Sequence, residues 1–117
     1  MSKHEHIKQF EIAVEPDVVR VMRRAREMIE EGWCQKTACL HFHDGRISRC
    51  SSQAIFDATL ELFPAGNIIE VAQKSESLFI KAIGCLSNNI PMWNDSRYRY
   101  KEEVLETFDK AIRIGLS

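Results

Sequence analysis

Apolar positions recur at intervals of three and four along most of the chain. Val18, Val21, Met22, Ala25, Met28 and Ile29 mark one face of a helix. Pro16 suits the first turn, where its missing N–H costs nothing, and Asp17 beside it favours the positive end of the dipole. Gly32 is placed to end the helix in the usual C-terminal position. Arg20, Arg23, Arg24 and Arg26 fall mostly off the stripe, beside Glu27, Glu30 and Glu31. They predict a solvated face with i, i+4 pairs such as Arg23 with Glu27, rather than an anionic-ligand patch.

The period then changes. In TACLHFHDGRISRC, Asp44-Gly45 predicts a hairpin with a type I′ turn, which needs positive φ at both centres. Strands are expected near 37–43 and 46–49, with Leu40 and Phe42 on one face and Cys39, His41 and His43 on the other. Ser51 or Ser52 then caps a helix with a stripe of Ala54, Ile55, Ala58 and Leu62. Phe63-Pro64-Ala65-Gly66 breaks it. Asn67 caps the next helix, from about Ile68 to Leu86, whose stripe is Val71, Ala72, Ser75, Leu78, Phe79, Ala82 and Ile83. Ser87-Asn88-Asn89 ends that helix, and Pro91 prevents its resumption. A last helix carries Val104, Leu105, Phe108, Ala111 and Ile112 and stops at Gly115. Near the start, Phe10, Ile12 and Val14 alternate with polar or small residues, which suits a strand or an extended arm lying on the body or on a second copy.

The predicted fold class is α+β, mostly helical: four helices, one β-hairpin between helices 1 and 2, and an N-terminal strand or arm. Residues 1–15 form the arm. Residues 16–117 form a single compact helical domain with the hairpin at 37–49.

Composition changes this picture little. A chain of 117 residues predicts one domain that buries roughly two thirds of its unfolded surface. The net charge of −1 supplies no global field for nucleic acid or an acidic membrane, so neither is expected as a partner. No apolar run approaches 18 residues, and MSKHEHIKQF lacks the hydrophobic stretch of a signal peptide. A cytoplasmic protein is expected, with Cys34, Cys39, Cys50 and Cys85 as free thiols.

Three groups of residues could carry chemistry. Cys34, Cys39, His41, His43 and Cys50 are dense enough to suggest zinc, but their spacing matches no finger and no C-x-x-C pair is present. No metal or cofactor is expected. Cys50 lies near a predicted helix N-terminus, where the dipole lowers a thiol pKa, and His41 or His43 could serve as base. A small enzyme using Cys50 or Asp95 is therefore one alternative. The third group is IPMWNDSRYRYKEE. Asn94, Asp95 and Ser96 suit an Asx-rich helix entry, with Trp93 covering the end of the core. The sharper reading is a ligand clasp: Trp93 as stacking platform, Asn94 and Asp95 as polar readers, Arg97 and Arg99 as anion partners. If Trp33 converges on Trp93, a pocket becomes more credible.

The runs EEGWCQ at 30–35, DGR at 44–46, Cys50 opening a helix, and WND followed by KEEV at 101–104 resemble a family of small uncharacterised bacterial and phage proteins. The resemblance spans about residues 19–113. It implies no activity, substrate or cofactor, but it marks Gly32, Trp33, Gln35, Cys50, Trp93, Asn94, Asp95 and Glu103 as signature positions. Cys34, Cys39, His41 and His43 stand outside that pattern. Family members tend to carry Thr ahead of the last helix, as an N-cap with Glu103 for its capping-box partner; Tyr100 stands there and cannot supply the cap. The expected function is a non-enzymatic binding or interaction protein working through Trp33, Gln35, Trp93, Asn94, Asp95, Arg97 and Arg99, on a protein partner or a small ligand. If phage-encoded, it could act on a host defence complex. A small-molecule binder for an anionic ligand is a second alternative, and homodimerisation through the arm or the first helix is left open.

Overall fold

The computed structural model describes residues 15–84 and 89–117. The proposed N-terminal strand or arm, apart from Glu15, lies outside the described residues, as does Cys85; the helix expected to reach about Leu86 ends earlier, at Ile83, where Gly84 takes a φ of 90°. The described elements are α1 (Asp17–Glu31), β1 (Cys39–His41), β2 (Ile47–Arg49), α2 (Ser51–Leu62), α3 (Ile68–Ile83), α4 (Ile90–Asn94) and α5 (Lys101–Leu116). The fold is α+β and helical-dominant, with four long helices, one five-residue helix and a small antiparallel hairpin. The short α4 is the element the periodicity misses. Pro91 does not keep the chain out of a helix there. It starts one, because its missing N–H falls where no intrahelical bond is due, and the Asn89 side chain accepts the Met92 N–H at 2.9 Å.

Helix α1 lies at the centre and packs against α2, α3 and α5. Its buried face is therefore wider than a single stripe. Val19 joins Val21, Met22, Ala25, Met28 and Ile29 inside, while Val18 is only partly covered. Phe79 of α3 fills the middle, with ring centroids 4.6 Å from Phe108 and 5.5 Å from Trp93, the latter edge-on. The α1 arginines are paired, but not as Arg23 with Glu27. Arg23 reaches Glu15, Arg24 reaches Glu61 on α2, and Arg26 reaches Asp109 on α5. These last two pairs tie α1 to its neighbours.

The hairpin pairs Cys39 with Arg49, Leu40 with Ser48 and His41 with Ile47. Its turn is not type I′. Only Gly45 has positive φ in the turn, and the loop is three residues, 43–45. Gly45 N–H donates to Phe42 O and Phe42 N–H donates to Arg46 O, the arrangement of a turn followed by a glycine bulge. Asp44 instead accepts the Arg46 N–H and Nε–H. Arg49 fastens the hairpin to α2 through Asp57 at 2.7 Å.

Helix ends depart from expectation in further places: Asn67, expected to cap α3, makes no side-chain capping bond among the described residues. Gly32 is extended rather than left-handed; a Cβ there would collide with Ser48 Oγ and crowd the Ile47 carbonyl, so the glycine permits close approach of α1 to β2. The cap of α2 is Cys50, not Ser51 or Ser52: its sulfur accepts the Gln53 N–H at 3.4 Å. The helix α5 forms despite Tyr100, because the Glu103 carboxylate reaches back to the Tyr100 N–H. It also continues past Gly115 to Leu116; Gly115 sits against Val19, where a Cβ would be 2.7 Å from the valine methyl.

Candidate functional site

After α1 the chain runs extended beside β2. Arg49 N–H donates to Gly32 O and Cys34 N–H donates to Arg49 O, so Trp33 forms a parallel bridge to Arg49. This fixes residues 33–35 alongside the start of α2. The short α4 then delivers Asn94 against both.

Asn94 is fully buried, and every polar atom of its side chain is used. Its Oδ1 accepts from Trp33 Nε1 at 2.8 Å, Ser51 N–H at 3.0 Å and Ser51 Oγ at 2.7 Å. Its Nδ2 donates to Cys34 O and to Asp95 Oδ1, both at 3.0 Å. Gln35 closes the join from the other side, donating from Nε2 to the carbonyls of Asn94 and Ser96 at 2.9 Å. Asp95 Oδ1 also accepts the Lys36 N–H at 3.0 Å, where Lys36 adopts a positive φ of 73°. Three distant segments are thus clasped by one amide. A buried amide with no partner would be costly, so full pairing is what allows it to sit there.

The structure therefore brings Trp33, Gln35, Asn94 and Asp95 together, but through Asn94 rather than through two facing indoles. Trp93 points away from this join. It is 6% exposed, with the Arg99 guanidinium 4.1 Å over its ring and Phe79 against its edge. Arg99 also donates to Trp93 O and pairs with Glu103. Arg97 stands apart, exposed over Tyr98.

Beside the clasp lies an open cleft of about 470 Å³. Residues 36–38 form one rim, and Cys50, Ser52, Gln53 and Phe56 of the α2 start form the floor. Glu76 of α3, with Pro91 and Asp95 around α4, completes it. Asp95 belongs to both clasp and cleft. The Phe56 ring is 43% exposed. It lies off the Ala54, Ile55, Ala58 stripe together with Leu60, and this second apolar pair at i, i+4 was the sequence signal for a surface there. Nothing in the spacing of Lys36, Gln53 and Glu76 announces their meeting.

Cys50 borders the cleft as a neutral thiol. Burial pushes its pKa up, outweighing the helix N–H groups that favour the thiolate. Cys34 is raised further, to about 11, first by burial and then by Cys50, Cys39 and Asp95 nearby. Cys34, Cys39 and Cys50 are free. Among the described residues no three His, Cys, Asp or Glu side chains gather to hold a metal; Cys39 and His41 meet alone, at 3.6 Å.

These features define a small helical-dominant α+β domain with a polar clasp at one cleft. The chain belongs to DUF6197, a family of unknown function, whose match covers residues 13–114. No curated protein and no solved structure matches it. Among the described residues, no helix is long and apolar enough to cross a membrane.

Proposed function

We propose that the chain is a non-enzymatic binding protein that receives a small ligand in the cleft beside Asn94. One observation carries this reading. The side chains of Trp33, Gln35 and Asn94, with Oδ1 of Asp95, fix three chain segments beside the cleft. A rim fixed in advance costs little ordering on binding. The volume falls within the range of small-molecule pockets, and the lining combines apolar walls with a few polar groups. The thiol at the floor favours binding over chemistry, because burial holds it protonated at neutral pH.

A ligand-observed NMR screen of small fragments tests this reading, with each hit mapped by backbone amide shifts. The expected hits move residues 36–38, 50–56 and Asp95 together. Hits scattered over other surfaces, or no hits, would reject it. Phe56→Asp, at an exposed position, should abolish the mapped hits with the fold intact.

A further inference from the structure

We propose that the ligand of this cleft is a small organic cation: a primary amine carried on an apolar body. The inference rests on the cleft reading above and adds the chemical class.

The charges lining the cleft are Lys36, Glu76 and Asp95. None of the three makes an ion pair among the described residues, so an excess of one negative charge faces the space. Arg49, which immediately precedes Cys50, is committed to Asp57, and Asp57 also accepts from Gln53 Nε2. Asp95 is held in place for a ligand: its Oδ1 takes two hydrogen bonds from the clasp, while Oδ2 takes none among the described residues. A carboxylate positioned in this way gives a charge-assisted bond without first having to be ordered.

An anion finds little here. The helix start would ordinarily attract one through its free N–H groups. At α2 three of these four groups are taken: Cys50 N–H by Ala38 O, Ser51 N–H by Asn94 Oδ1 and Gln53 N–H by the Cys50 sulfur, leaving that of Ser52. Two carboxylates against one lysine oppose a second negative charge. The remaining walls, Ala38, Phe56 and Pro91, suit an apolar body, and the exposed Phe56 ring offers an aromatic face to a cation.

The test titrates 2-phenylethylamine into the full ¹⁵N-labelled chain, with 2-phenylethanol and 3-phenylpropionate as uncharged and anionic counterparts. The amine is expected to shift the amides of Ala38, Ser52, Gln53, Phe56 and Asp95. The alcohol should bind about tenfold more weakly or worse, the difference that one charge-assisted bond makes. Glu76→Gln should weaken the amine by a similar factor and leave the alcohol unchanged. Glu76 makes no side-chain hydrogen bond or ion pair among the described residues, so the variant keeps the fold. Equal binding of amine and alcohol overturns the cation assignment and leaves the cleft reading standing. Tighter binding of the carboxylate overturns it in favour of an anion site. No binding by any of the three also overturns it, and the fragment screen then decides separately whether the cleft binds anything.

Discussion

Asn94 is the residue on which the most depends. Replacing it with Ala strands the Trp33 indole N–H, the Ser51 N–H and hydroxyl, and the Cys34 carbonyl in a dry interior. Each unsatisfied group costs about 1–3 kcal/mol, so Asn94→Ala is expected to lose about 3 kcal/mol or more in urea unfolding. Trp33→Phe removes one donor and keeps most of the ring, and should lose about 1 kcal/mol. Similar losses for the two would mean that bulk, not the polar network, holds the join. The thiols make a second prediction at this scale. Alkylation at rising pH, followed by peptide mass spectrometry, should modify Cys39 first among the three described cysteines. Cys50 should lag because burial raises its pKa, and Cys34 should come last, with its pKa pushed up to about 11. A Cys50 that reacts fastest at neutral pH would restore the thiol-enzyme alternative.

At the scale of elements, the long helices were legible and their ends were not. Burial must recur at the helical period, so Ala72, Ser75, Leu78, Phe79, Ala82 and Ile83 could be read directly from spacing. A cap depends on which atom arrives from elsewhere. Cys50 displaced two better capping residues because Ser51 is drawn to Asn94, a residue from α4. Gly32 shows the same dependence: spacing places it at a helix end, but only the approach of Ser48 explains why it must be glycine. Gly32→Ala should therefore destabilise by about 1–3 kcal/mol through overpacking, read as a lowered urea midpoint with unchanged slope. A neutral result would mean that β2 can shift away freely. The candidate site was half legible for a related reason. Trp33, Gln35, Asn94 and Asp95 do meet, as short motifs often do. An amide, however, serves a ligand and a neighbouring backbone with the same atoms, and sequence does not distinguish the two. Lys36, Gln53, Phe56 and Glu76 come from separate segments and share no period.

For the whole molecule, the ion pairs between α1 and its surroundings set a pH dependence. Arg23 holds the Glu15 carboxyl below its ordinary range, and Arg24 does the same for Glu61, in both cases first through a side-chain hydrogen bond. A carboxylate with a lowered folded pKa contributes stability above its unfolded pKa and loses it as pH falls through the folded value. The melting temperature should thus hold from neutral pH down to about 5 and then fall progressively below the ordinary carboxylate range. Both pairs are partly exposed, so the loss should be modest and should shrink in high salt. A melting temperature that rises below pH 4 would contradict this. The clasp has a consequence on a longer timescale. Three donors from two residues converge on one oxygen of Asn94, so a substitution at 94 strands both Trp33 and Ser51, whereas one at 33 or 51 leaves the other residue bonded to Asn94. Inheritance should therefore be one-sided: a relative that has replaced Asn94 should have changed Trp33 and Ser51 with it, while drift at 33 or 51 should be found with Asn94 retained.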